Sequence, residues 1–133
     1  MSSPPTGEPV DPSRFRVRFA ITIGGEWLRL DPVRVGPVPA HLPTPDRFVV
    51  VERDEEPLLR IDLYAPPGES GAARKAIVWR GRIAVSWGRW LHLVDLGTRD
   101  VRTLDLSAPF EAFHPEEDAL RVTTSGGGET RIT

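Results

Sequence analysis

RFRVRFAITI, residues 14–23, is the stretch whose reading decides the fold class. Phe15, Val17, Phe19, Ile21 and Ile23 fall on one face of an extended chain; Arg14, Arg16, Arg18 and Thr22 fall on the other. That period of two belongs to a strand half in a core and half in water, whereas a helix would group residues three and four apart. Gly24-Gly25 follows as a two-residue hairpin signal, and residues 27–30 read as the returning strand, stopped by Asp31-Pro32.

The pattern continues outward. Residues 32–46 hold Pro32, Pro37, Pro39, Pro43 and Pro45. Each lacks a ladder donor, so this is an extended surface excursion in which Val33 and Val35 pair at most at an edge. Strands are expected at 47–53, around Leu59, Ile61 and Leu63, at 76–80, around Ile83, Val85 and Trp87, at 90–96, at 101–106, around Leu120, Val122 and Thr124, and up to Thr133. Glycine, proline and aspartate separate them, and residues 65–73 form a polar loop. Helix is expected only as one turn within 109–112 or 115–119. Short strands at regular spacing mean an all-β chain: an antiparallel meander closing into a β-sandwich or a partly open barrel with propeller-blade-like hairpins.

Composition bounds the rest. The 133 residues are one domain's worth: a flexible, proline-rich tail over 1–13 and a single antiparallel β domain over 14–133. With 39% hydrophobic and 27% charged residues a core can form. Fourteen prolines and 12 glycines argue against a helical bundle. The net charge of −2 supplies no field for nucleic acid or an anionic membrane. No cysteine is present, which excludes disulfides, thiolate nucleophiles and thiolate zinc sites. No window approaches the ~20 apolar residues of a membrane span. Residues 1–13 carry no apolar run of signal-peptide type, so a cytoplasmic location is expected.

No catalytic constellation emerges. There is no G-x-S-x-G, and Ser86 sits in mid-strand. The glycine loops at 68–71 and 126–128 lead into no helix, so they are turns rather than phosphate cradles. His41, His92 and His114 are scattered. His114-Pro115-Glu116-Glu117-Asp118 reads as a solvated acidic loop rather than a metal site, because a second histidine at ligand spacing is missing. His92 and Asp95, three apart on a strand, point to opposite faces. Asp62, Asp95 and Asp105 close their strands in the same way and suit turn hydrogen bonds. No cofactor is expected.

The unusual composition lies in WRGRIAVSWGRW, residues 79–90, which holds three of the four tryptophans and three arginines. Trp87 shares a face with Ile83 and Val85 and belongs to the core; Trp90 is the better candidate for exposure. Trp79, Arg80, Arg82, Arg89 and Trp90 therefore form one candidate partner surface, since tryptophan and arginine dominate interface hot spots. Arg16 and Arg18 form a second: a ladder of like charge that needs carboxylates such as Glu52, Asp62 or those of a partner across from it.

Residues 77–132 resemble the hairpins of β-propeller blades and a group of small bacterial proteins. The resemblance is carried by the W-x-G-x-x-A-V-x-W-G run from Trp79 to Gly88, by Phe110 and Phe113, and by Asp118, Leu120 and Val122. It implies a partner of the toxin or surface-system kind. A closed propeller needs ~4–8 blades of ~40–45 residues, which one such chain does not hold.

The reading this supports is a non-catalytic protein-interaction module, of immunity or accessory type, binding one partner protein. The alternative is a β domain for a small ligand or carbohydrate, using Trp87 and Trp90. Open sheet edges would also permit homo-oligomers.

Overall fold

A computed structural model describes residues 14–38, 40–41, 44–66, 68 and 71–133. The tail at 1–13 lies outside the described residues. Among the described residues eleven strands form three sheets. The first sheet has the order β1-β3-β4-β2, from β1 (Phe15–Ala20), β2 (Val33–Val35), β3 (Arg47–Arg53) and β4 (Glu56–Leu63). The second is a simple meander, β5-β6-β7-β8, from β5 (Arg74–Trp79), β6 (Arg82–Trp87), β7 (Trp90–Asp95) and β8 (Val101–Asp105). The third, β11-β10-β9, is built from β9 (Phe110–Pro115), β10 (Leu120–Thr124) and β11 (Glu129–Ile132). All pairings are antiparallel except β2 with β4, which is parallel.

The second sheet is the middle layer, because its central strands are apolar on both faces. Ile83, Val85, Trp87 and Val94 pack against Val35, Val49, Val51, Leu59, Ile61 and Leu63 of the first sheet. Ala84, Leu91, Leu93 and Trp79 pack on the other side against Leu106, Phe110, Leu120, Val122 and Ile132. Alternating side chains thus build two cores about one sheet, a sandwich-like stack without a closed barrel. Turn chemistry sets the meander. Trp79 pairs with Arg82 across Arg80-Gly81, both residues at positive φ (49° and 74°), as the primed two-residue turn requires.

Three expectations are corrected. The half-buried strand at 14–23 ends at Ala20, opposite Phe48; β3 begins at Arg47 just past Pro45, so Ile21 has nothing to pair with and is 68% exposed. Residues 27–30 do not return as a strand. Gly25 (φ 58°) opens a 3-10 helix, Gly25–Arg29, in which the Trp27 amide donates to the Gly24 carbonyl at 3.3 Å. The helical turn expected within 109–112 or 115–119 does not form: β9 takes residues 110–115, and 116–119 bend into β10. Phe110 and Phe113 have helical spacing, yet between Thr123 and Thr124 the register slips, leaving Glu111 as an extra residue on β9. Such a bulge puts residues i and i+3 on one face, and the two rings meet at 4.6 Å between centroids.

Candidate functional site

The fold separates the residues that the sequence groups together. Trp79 is 5% exposed in the second core, with the Arg80 and Arg82 guanidinium carbons 5.6 and 5.9 Å from its ring centroid. Trp90 is half-buried, with Arg89 5.1 Å from its ring and paired to Asp105 at 2.8 Å. These clusters sit at opposite ends of β6, which at ~3.3 Å per residue puts them roughly 17 Å apart. Arg16 and Arg18 stand elsewhere, on the outward face of the first sheet, with Arg16 opposite Glu52 and Arg14 paired to Asp54. Asp62 is buried and pairs with Arg60 at 2.8 Å, so it does not serve the arginine ladder. The seven candidates do not make one surface.

Two concavities take their place. The larger is a groove of about 660 Å³ lined by Phe15 and Val17 of β1, by Ala76 to Arg80 of β5, and by Pro115 to Glu117 at the end of β9. Each of these strands is the terminal strand of its sheet, so the groove is where open edges of all three sheets converge. Five consecutive residues of β5 line it. A groove over one face of a strand would touch alternate residues; consecutive lining marks exposure along the strand's edge. Register tells which groups are free. The Gly88 amide donates to the Ala73 carbonyl at 3.0 Å, and Trp79 closes the turn on Arg82. Odd-numbered residues of β5 therefore turn their backbone groups to β6, and Arg74, Ala76 and Val78 turn theirs outward. Among the described residues no strand pairs with that edge.

The smaller concavity is a cavity of about 270 Å³ on the opposite side of the first and second sheets, lined by Gly36, Pro37, Pro66, Trp90, His92 and Thr103. Its mouth is pinned. The Tyr64 amide donates to the Val35 carbonyl at 2.9 Å, and Gly36 (φ 99°) lies so close to Tyr64 that an added Cβ would stand 2.2 Å from the Tyr64 carbonyl oxygen. Only glycine fits there. His92 is 2% exposed; its Nδ1 lies 3.0 Å from Thr103 Oγ1, while its buried Nε2 has no partner among the described residues. Burial pushes its pKa down from 6.5 to about 4, so the imidazole is neutral at pH 7.

The carboxylates are otherwise engaged. Asp95 Oδ1 accepts from the Thr98 and Gly97 amides at 2.9 and 2.8 Å, which holds its carboxyl below the usual range. Asp105 Oδ1 accepts from Ser107 at 2.8 Å. In the acidic loop, Glu116 is held by Arg121 and Arg131 at 3.1 and 3.0 Å, and His114 Nε2 lies 3.1 Å from Thr123 Oγ1. Among the described residues no three histidine, aspartate or glutamate side chains gather as a metal site, and no helix is long and apolar enough to cross a membrane.

Sequence reasoning missed both concavities. Ala76 and Val78 looked like ordinary strand residues, and His92 was weighed only against Asp95. The one available signal was that β5 begins the meander and must be an edge unless an earlier strand covers it. No family model matches the chain, and comparison with curated proteins and with solved structures finds no match. The propeller-blade resemblance therefore rests on the residues alone.

Proposed function

We infer that the chain is a protein-interaction module that receives an extended segment of a partner protein on the open edge of β5. The convergence of three unpaired sheet edges on one mainly apolar groove carries this reading. Strand addition satisfies outward amides and carbonyls such as those of Ala76 and Val78, and pockets beside the edge select alternate side chains. Phe15, Val17, Ala76 and Val78 supply that apolar surface.

Charge selects the occupant. Arg74 and Lys75 stand at one end of β5 and Arg80 just past the other. A second copy of β5, laid antiparallel, would set these cations against their own kind. A partner segment with an apolar centre and carboxylates at its ends meets both; on the third wall Glu116 is already paired with Arg121 and Arg131, and Glu117 opposes it. An immunity or accessory role follows if that segment belongs to a toxin or a surface protein.

The test is selection of a displayed twelve-residue peptide library on the full chain. Selected peptides should alternate apolar residues between Asp or Glu flanks, slow hydrogen exchange at the Ala76 and Val78 amides, and lose at least tenfold in affinity with Val78→Pro, which removes an outward donor together with part of the Val78 side chain packed on the first core. Arg80→Glu should invert the flank preference and guards against misfolding of the proline variant. Binders that protect other amides, or that ignore both substitutions, would refute the reading.

A further inference from the structure

We propose that the open edges of β1 and β5 form a latch that closes on itself in the register Phe15↔Val78, Val17↔Ala76 and Phe19↔Arg74, and that a partner segment binds only the open form held in this structure. As regulation of the groove this rests on the reading of β5 as the partner's edge; the latch itself does not.

Direction comes first. β1 lies against β5, with Cα atoms within 8 Å. Arg74, the first residue of β5, holds its guanidinium carbon 5.9 Å from the Phe19 ring near the end of β1 and 5.2 Å from the Trp87 ring. Phe15 and Val17, toward the start of β1, share the groove with Ala76 to Arg80. The two strands therefore run antiparallel, and Arg74 clasps one end of the corner, since a guanidinium is attracted to the faces of both rings.

Phase follows from the pairings. The Asp54 amide donates to the Arg14 carbonyl at 2.9 Å, and Phe15 stands opposite Arg53. Arg14, Arg16 and Arg18 therefore turn their backbone groups to β3, while Phe15, Val17 and Phe19 turn theirs to the open edge. On β5 the outward residues are Arg74, Ala76 and Val78. With Phe19 set against Arg74, Val17 falls opposite Ala76 and Phe15 opposite Val78, so every outward residue meets an outward residue. A slip of one residue would set free groups against groups already paired. A ladder brings such opposed Cα atoms to ~5.5 Å, so closure is a small shift of the corner.

Closure removes two free edges at once. It also draws together Phe15, Val17, Ala76 and Val78, which already pack on the first core. A partner strand laid on β5 takes the same backbone groups of Ala76 and Val78, so it and β1 exclude each other. The partner's apparent affinity is then its affinity for the open form scaled by the fraction open.

The experiment has two arms, both on the full chain. The sequence holds no cysteine, so an introduced pair is a clean probe. Without peptide, Val17→Cys with Ala76→Cys should cross-link on mild oxidation at least tenfold faster than the diagonal pair Val17→Cys with Val78→Cys. The oxidised protein should bind peptides selected on the β5 edge at least tenfold more weakly, with reductant restoring them. The second arm is hydrogen exchange in the wild type. The Leu106 amide donates to the Arg89 carbonyl at 2.7 Å, so Val101 and Thr103 turn outward on the open edge of β8 and serve as the reference. The Val17 and Phe19 amides should be at least fivefold better protected than these in the free protein. Saturating peptide should speed exchange at Val17 and Phe19 while slowing it at Ala76 and Val78. Val17 and Phe19 exchanging as fast as Val101 and Thr103, or equal cross-linking of the two cysteine pairs, would overturn the latch. Those readouts need no peptide, so they decide it even if selection on β5 fails; peptides that bind without releasing β1 would overturn the latch and leave the β5 reading standing.

Discussion

Removing the buried imidazole should remove a defined part of the protein's acid sensitivity. In the unfolded chain His92 takes up a proton near pH 6.5; in the folded protein burial delays this to about pH 4. Between those values the unfolded state holds one more proton than the native state, so unfolding becomes easier as pH falls and stability rises again with pH. One pKa unit is worth 1.36 kcal/mol. Between pH 7 and pH 4.5 the loss from this one group comes to about 2.5 kcal/mol, a large share of the ~5–15 kcal/mol that holds a domain folded. The assay is urea unfolding followed by tryptophan fluorescence at both pH values, for the wild type and for His92→Leu. Leucine fills the site without a titratable group, and Thr103, being exposed, can turn its hydroxyl to water. The wild type should lose about 2.5 kcal/mol more than the variant over this interval. Asp54, held low by Arg14, Glu116, held low by Arg121, and Asp95, held low by the Thr98 and Gly97 amides, lose their contributions only as pH falls below the ordinary carboxylate values. Their effect is common to both proteins. Equal losses in the two proteins would show that His92 is not desolvated as described.

The backbone and the cores give sharper contrasts. Gly36→Ala and Gly126→Ala both place a side chain at positive φ (99° and 83°), but only the first meets a neighbour, at 2.2 Å from a carbonyl oxygen. Gly126→Ala should cost ~1–2 kcal/mol and Gly36→Ala ~3 kcal/mol or more by chemical denaturation, and similar values would remove the collision from the argument. Arg60→Ala strands the Asp62 carboxylate, which is 4% exposed, and should cost ~3–5 kcal/mol, whereas Arg89→Ala opens the exposed pair with Asp105 for about 1 kcal/mol or less and leaves the Ser107 amide bond to Asp105 in place; a double-mutant cycle on each pair measures the difference. Trp87→Ala empties the centre of the first core and should cost ~3–5 kcal/mol, lowering the melting temperature by more than 10 °C in calorimetry.

The architecture was legible wherever one local rule acted alone. Alternation in β1, β4 and β6, the apolar run of β3 and the break at Gly81 need only the pleat and turn chemistry, and both are written into neighbouring residues. Where two local readings competed, the outcome came from elsewhere in the fold. Phe110 and Phe113 suit a helix by spacing, and the bulge opposite Thr123 and Thr124 makes them strand partners instead. Ile21 continues the apolar alternation, yet it lies past the end of β3 and has no partner.

What the sequence determined by itself is most of the strands, though neither β9 nor the 3-10 helix at Gly25–Arg29, and the all-β class, because period and turn type are properties of contiguous residues. Tertiary structure alone decided that β1, β5 and β9 bring their open edges to one groove, that Trp79 is buried while Trp90 borders a cavity, and that Gly36 and Pro66 close over His92. Those facts depend on which sheet lies on which face of the middle layer, and residues far apart in the chain acquire that relation only when the two cores exclude water.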